Sequence, residues 1–173
     1  MPTTVAFETA EGAVLAADRL VVSDDTVSSK SAERIADFAD CGAAAVADPD
    51  EFRRELDGER REYELEHGEN PGIEPFTRMA SDVAGAVGTD AAIAAHDENG
   101  NVHVRAVYAD GSVIEDSPVA VGTGAELAFG RLEAGTPDSL DDGAEYARDL
   151  IDGVSGRDTR TGEEADVWTL TDA

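Results

Sequence analysis

Two threonine hydroxyls, Thr3 and Thr4, stand at the head of an apolar run, and a second run, Val14-Leu15-Ala16-Ala17, delivers a carboxylate at Asp18. A hydroxyl attacks a carbonyl carbon only when a base beside it takes the proton. Arg34, ahead of Ile35 and Phe38, is a cation rather than a base, because its guanidinium stays protonated and can only donate. Arg34 can therefore pair with Asp18 as a structural ion pair but cannot serve as a base. Pro2, just ahead of the threonines, has neither a hydroxyl nor a primary amine. Removal of Met1 would expose its secondary amine, which a nearby cation could keep unprotonated as a general base.

The other reactive side chains read as structural. His67, His96 and His103 are dispersed, with His96 and His103 expected as a cross-strand pair rather than metal ligands. Gly122-Thr123-Gly124 lacks the lysine and the spacing of a phosphate loop. Cys41 has no second cysteine to join and has apolar neighbours, so it reads as a small buried residue. Trp168 is expected in the core, and the pairs Arg53-Arg54 and Arg60-Arg61 in solvated i to i+4 ion pairs or a subunit interface. No metal and no cofactor is expected.

Composition points to an environment. The chain has 39 Asp+Glu against 13 Lys+Arg, a formal charge of −26, and a single lysine, Lys30. An excess of one sign that large self-repels in dilute buffer and suits a salt-rich cytosol, where screening is short-ranged. With 41% hydrophobic residues and acids spread through periodic segments, a folded halophilic-type protein is expected rather than an acidic disordered segment. Nucleic acid is not an expected partner, because no basic patch is visible. No apolar run reaches the ~20 residues of a membrane span, and the start lacks the features of a signal peptide, so a cytoplasmic location is expected. The 173 residues are read as one domain, 1–173.

The elements that must position these groups can be traced by periodicity. Residues 3–8 and 13–18 are β-type runs around a hairpin turn, residues 21–22 and 26–27 flank Ser23-Asp24-Asp25, and residues 35–38 and 42–47 supply two more strands. Asp48 and Pro49 open a helix to about residue 67, with Asp48 as its cap, and a second helix covers 74–87 with Phe76, Met79, Ala80, Val83 and Val87 on one face. Strands follow at 91–96 and 102–107 around Asn99-Gly100, then at 112–115 and 119–122. Helices at 125–133 and 139–154, the latter striped by Ala144, Ala147, Leu150 and Ile151, precede a closing strand at 167–171. Strands, two helices, strands, two helices and a strand make an α+β chain with two stacked sheets between helix pairs.

These motifs, in this order, resemble a proteasome β-type subunit of the N-terminal nucleophile hydrolase superfamily, in a divergent haloarchaeal-type form. The family's threonine-threonine-threonine-valine start lies over Pro2-Thr3-Thr4-Val5, which puts Pro2 on the nucleophile. Its acidic residue falls on Asp18 and its lysine on Arg34. Val121-Gly122-Thr123-Gly124 with Ala128-Phe129-Gly130 is similar to the glycine-serine-glycine turn and the helix after it. Arg157-Asp158-Thr159-Arg160-Thr161-Gly162 is similar to the arginine-aspartate-serine-x-serine-glycine-glycine turn, with Glu163 in place of the last glycine.

The resemblance implies a four-layer αββα sandwich of antiparallel sheets, and a site at Pro2, Asp18, Arg34, Asp158 and Thr161, with Thr123 on the site loop. It also implies an oxyanion and substrate strand at Val46 and Ala47, where Ala44-Ala45-Val46-Ala47-Asp48-Pro49-Asp50 lacks the family's glycine and is one residue shorter. A side chain there intrudes where backbone must approach closely. The absence of a helix ahead of the first strand favours the β type over the α type.

Two functions follow. One is a catalytically silent homologue of the 20S core protease that acts by assembly, by regulation or by binding a peptide, with copies of itself in a ring or other proteasome subunits as partners. The other is an active threonine endopeptidase or amidohydrolase. It would use Thr3 or Thr4 after trimming, although Thr3 faces away from the site of Pro2 and Thr4 lies two residues too deep, or it would use the Pro2 amine.

Overall fold

The computed structural model describes residues 2–173. In chain order the elements are β1 (Thr3–Thr9), β2 (Gly12–Asp18), β3 (Val21–Ser23), β4 (Thr26–Ser29), β5 (Ile35–Asp37), β6 (Cys41–Ala45), α1 (Pro49–His67) and α2 (Ile73–Val87). The second half contributes β7 (Ala91–His96), β8 (Val102–Val107), β9 (Val113–Ile114), β10 (Val119–Gly122), α3 (Ala125–Leu132), α4 (Leu140–Ser155) and β11 (Ala165–Thr171).

One sheet runs β10-β1-β2-β11 and the other β5-β6-β7-β8-β9, both antiparallel, while β3 and β4 pair only with each other. On β1 the period of two separates the faces. Val5 and Phe7 join Ala128, Leu132, Ala147 and Ile151 of α3 and α4. Ala6 joins Leu15, Ala44, Ala92 and Val104 between the sheets. Phe52, Leu56, Phe76 and Val83 of α1 and α2 cover the outer face of the second sheet. The result is a four-layer αββα sandwich. Strands β6 and β7 carry alanine on both faces: Ala43, Ala44, Ala45, Ala91, Ala92, Ala94 and Ala95 are all buried. Small side chains there let the layers approach closely at interior packing density.

Several local expectations need correction. Asp48 precedes α1, and Pro49 opens it, but Asp48 sits at φ 46 with no side-chain cap bond. A capping residue presents its oxygen from the extended region, and the left-handed turn out of β6 denies Asp48 that geometry. Ser139 does cap α4, accepting from the Asp142 N–H at 3.2 Å. Trp168, as expected, packs against the core between the sheets, half-buried, and its ring lies so close to Gly42 that a Cβ there would meet it at 2.9 Å. Arg60 and Arg61 ion-pair along α1 with Asp57 and Glu64, but Arg53 donates to the carbonyls of Glu33 and Ile35 instead. Ala144 is only partly buried, while Val154 completes the apolar face of α4.

His96 and His103 do not pair. In the β7–β8 register His96 opposes Val102 and His103 opposes Ala95. His96 Nε2 lies 2.8 Å from the Thr171 carbonyl. His103 places Nδ1 2.7 Å from Glu8 Oε1 on β1 and Nε2 2.7 Å from Asp97 Oδ2, so one imidazole ties the two sheets. Both ring nitrogens face carboxylates, which only the doubly protonated ring can satisfy.

The Asp97 bond raises the His103 pKa, aided by Glu8, and the same bond pushes Asp97 down to about 2. Glu74 and Arg105 are the other charges in this neighbourhood. Stabilisation from a raised histidine is complete below its unfolded pKa of about 6.5 and is lost as pH rises through the folded value. That from the depressed Asp97 is present above the unfolded aspartate value and is lost as pH falls toward about 2. Thermal melts in molar salt are expected to show a Tm that climbs as pH is lowered from about 8.5 to about 6, and that climb is expected to vanish in His103→Gln.

Candidate functional site

The site is built at the end of β2. Asp18 is 1% exposed. Its Oδ2 accepts the Thr3 N–H at 2.7 Å, its Oδ1 accepts the Leu20 N–H at 2.8 Å, and the Gly162 N–H also bonds to it. Burial raises the Asp18 pKa, against the pull of those three amides and of the Arg34 charge. The expected Asp18–Arg34 ion pair takes another form. Arg34 donates through Nε to the Asp18 carbonyl at 3.2 Å, through Nη1 to the Val46 carbonyl at 3.3 Å, and through Nη2 to the Leu20 carbonyl. Three carbonyls outcompete one carboxylate because the guanidinium fork spans several acceptors and the carboxylate is already occupied by amides. Burial lowers the Arg34 pKa, with the Asp18 charge opposing.

A second cluster sits on the α3–α4 face of β1. Thr161 Oγ1 donates to Asp158 Oδ2 at 2.6 Å, so its one proton is committed. Thr3 Oγ1, 2.7 Å from Thr161 Oγ1, must therefore be the donor of that pair, and it accepts the Gly124 N–H at 3.1 Å. Thr123 Oγ1 donates to Asp158 Oδ2 at 2.7 Å, and the Arg160 N–H reaches Asp158 Oδ1 at 3.1 Å. Burial works to raise the Asp158 pKa, but the Thr161 and Thr123 hydroxyls and the Arg160 amide outweigh it and hold the carboxyl below its usual range. Gly124 has to be glycine, because a Cβ would fall 2.3 Å from Thr3 Oγ1 and 2.5 Å from Val154 Cγ1.

A cleft opens beside the head of the strand. Pro2 lines a cleft of about 550 Å³ with Arg34, Val46, Ala47, Arg54 and Arg160. Thr4 is wholly buried, and its Oγ1 has no hydrogen-bond partner among the described residues. The backbone on the far wall is engaged. The Val46 N–H donates to the Asp90 carbonyl at 3.0 Å and the Ala47 N–H to Thr89 Oγ1 at 3.0 Å. Neither amide is free to bind a developing oxyanion, which needs an uncommitted donor. Sequence reasoning passed over Thr89, since a buried threonine after a helix-ending glycine looks the same on paper as a solvated one. It also passed over the amides of Leu20, Gly124 and Gly162, because any residue type can supply an amide.

The structure thus brings Asp18 and Arg34 together below the cleft, Pro2, Val46 and Ala47 along it, and Thr3, Thr123, Asp158 and Thr161 behind the strand. Thr4 belongs to none of the three. Among the described residues no three His, Cys, Asp or Glu side chains converge to hold a metal ion, and no helix is long and apolar enough to cross a membrane.

Two antiparallel sheets between helix pairs, with a buried aspartate closing the second strand beside a cleft at the head of the first, define the N-terminal nucleophile hydrolase fold. Within that class the chain belongs to the Proteasome subunit family, whose model matches residues 2–170. It is similar to the proteasome subunit beta of Methanopyrus kandleri, 31% identical over 98% of this chain and 86% of that protein. It is also similar to the proteasome subunit beta of Halomicrobium mukohataei, 28% identical over 98% and 75%. A third relative, the proteasome subunit beta 2 of Thermofilum pendens, is 27% identical over 97% and 87%.

Denaturant unfolding in high salt is expected to separate the two buried oxygens at this site. Asp18→Ala strands three amides and is expected to cost roughly 3 kcal/mol. Thr4→Val removes a hydroxyl with no partner among the described residues and is expected to be neutral, within about 0.5 kcal/mol, or stabilising.

Proposed function

We propose that this chain is a β-type proteasome subunit homologue whose cleft does not cleave peptides and which acts by assembly, as a ring-forming or regulatory partner in a proteasome core or as a peptide-binding surface. The observation that carries the reading is Pro2 at the head of β1 in the cleft, where a hydroxyl nucleophile would have to stand. Three further features support it. Arg34, spent on three carbonyls, has no proton to take up. The Ala47 amide is engaged by Thr89. The Thr3 hydroxyl is turned behind the strand into the Thr161–Asp158 network, and its backbone nitrogen is held by Asp18.

In this reading residues 1–173 act as one unit, Pro2, Asp18, Arg34, Asp158 and Thr161 are a degenerate catalytic set, and Val46 and Ala47 form a peptide-binding edge. The charge of −26 suits a cytoplasm rich in salt.

Intact-mass measurement with a threonine-directed covalent inhibitor in molar salt tests the proposal. The expected result is a first residue of Met1 or Pro2, no adduct, and no hydrolysis of unfolded protein. A first residue of Thr3 or Thr4 carrying one adduct overturns it in favour of an active threonine hydrolase. Turnover by protein beginning at Pro2, lost on Pro2 replacement, overturns it in favour of the amine.

A further inference from the structure

The β3–β4 hairpin contributes to no core. It pairs with no strand of either sheet, none of residues 21–30 is buried, and none belongs to the apolar clusters that hold the layers together. A two-stranded hairpin on its own is marginal in water, and a segment with so little apolar burial opens at a small fraction of the cost of global unfolding. Its shape is set locally. Asp24 and Asp25 both have positive φ, 49 and 61, and make a tight turn between the paired residues Ser23 and Thr26.

The base is fixed firmly and the tip lightly. At the base the Leu20 N–H bonds Asp18 Oδ1 at 2.8 Å, Arg34 holds the Leu20 carbonyl, and the Ala32 N–H donates to the Arg19 carbonyl at 3.0 Å. At the tip Arg160 Nη2 meets Asp25 Oδ1 at 3.1 Å, with the two side chains 48% and 90% exposed. Among the described residues this ion pair is the only hydrogen bond or salt bridge that joins residues 21–30 to the chain beyond the hairpin and its base. Arg160 is itself anchored, because its N–H reaches Asp158 Oδ1 at 3.1 Å. The neighbouring cations are balanced by acids: Arg19 pairs with Glu164 and Asp166, and Lys30 shares its depression with Glu163 and Glu164.

Open space lies on both faces of the hairpin. Val21 and Val22 line the Pro2 cleft of about 550 Å³ together with Ala47 and Arg160. Val27 and Lys30 line a separate depression of about 400 Å³, backed by Ser155 and Thr159. A swing about the base therefore has room on either side, and a swing toward the depression withdraws Val21 and Val22 from the cleft.

We propose that the β3–β4 hairpin is a flap on the Pro2 cleft, hinged at Leu20 and Ala32 and latched shut at its tip by Arg160 and Asp25. The hinge is the one place where the hairpin is tied to buried groups, so it stays put while the tip moves. An exposed ion pair is weak, so the latch favours the closed state only slightly and leaves the cleft poised to widen. The consequence for a ligand rests on the proposed peptide-binding role, whereas the motion itself does not.

Hydrogen exchange of the full chain, read by mass spectrometry in molar salt, tests the latch. Asp25→Asn suits the left-handed backbone at that position, and Arg160→Gln keeps the backbone bond to Asp158. Each is expected to speed exchange across residues 21–29 by roughly two- to threefold, with β1 and β2 unchanged. Arg160→Lys keeps the cation and is expected to hold exchange near that of the unaltered chain. Maleimide labelling of Ala47→Cys reports on the cleft, since Cys41 is buried and its thiol is pushed up to about 12. That labelling is expected to quicken by the same factor when Asp25→Asn is added.

Hairpin amides as slow as those of β1 and β2 in every variant overturn the flap, because they mark a rigid wall. Hairpin amides that exchange at the unfolded-chain rate in the unaltered protein, or that ignore both Asp25→Asn and Arg160→Gln, overturn the latch. Faster hairpin exchange with unchanged labelling of Ala47→Cys overturns its control of the cleft. A fluorescent unfolded polypeptide that binds neither form, while exchange and labelling both respond, leaves the flap standing and overturns the peptide-binding role.

Discussion

The peptide from Asp18 to Leu20 is gripped from both sides by buried, oppositely charged groups. The Asp18 carboxylate collects amides from Thr3, Leu20 and Gly162, and the Arg34 guanidinium collects carbonyls from Asp18, Leu20 and Val46. Between them they fasten the head of β1, the exit of β2, the approach to β11 and the end of β6, which spans both sheets. Each charge is solvated by peptide dipoles rather than by direct contact with the other, and their proximity offsets the cost of burying either. A buried charge stripped of such partners is expensive, which makes this clamp the constraint on which the strand head depends.

The same clamp decides what the cleft can do. With its fork spread over carbonyls, Arg34 lies beneath Pro2 as a fixed donor, and a guanidinium does not give up its proton at ordinary pH. On the other side of β1, the proton order runs from Thr3 to Thr161 to Asp158, with Thr123 donating to the same carboxylate oxygen. Every hydroxyl proton in that network points away from the cleft. The strand's alternation divides the threonines as well. Thr3 serves the network, Thr4 is buried with an idle oxygen, and neither presents a hydroxyl beside Pro2.

The layered architecture was legible because its signals are periodic. The apolar alternation of residues 5–7 and 14–17, Pro49 at the start of α1, the stripe of α4 and the Asn99-Gly100 turn each carry their physics in side-chain type. The meeting of Asp18 with Arg34, and of Thr3 with Thr161 and Asp158, was not legible from spacing, because 16 and 158 positions separate the first pair and the Thr3–Thr161 pair. Family motifs grouped these residues but did not supply the bonds among them. What remained hidden was carried by backbone. The left-handed turn at Asp48, the amide of Ala47 spent on Thr89, and the preference of Arg34 for carbonyls all depend on groups that every residue has.

The scarcity of cations explains a further economy in the structure. Of 13 basic residues, Arg34 and Arg53 spend themselves on backbone carbonyls, Arg105 bonds Thr77 and Glu74, and Arg60 spans Asp57, Glu64 and Asn70 while lying 5.2 Å from the Phe38 ring centroid. Arginine suits such work, since its planar fork serves several acceptors at once and its face tolerates an aromatic ring. Cations committed to the interior and to the helix surfaces cannot neutralise the acidic exterior. Contact between such surfaces therefore has to be centred on apolar groups, with the few uncommitted cations placed beside them, because repulsion between unscreened carboxylates elsewhere opposes any close approach.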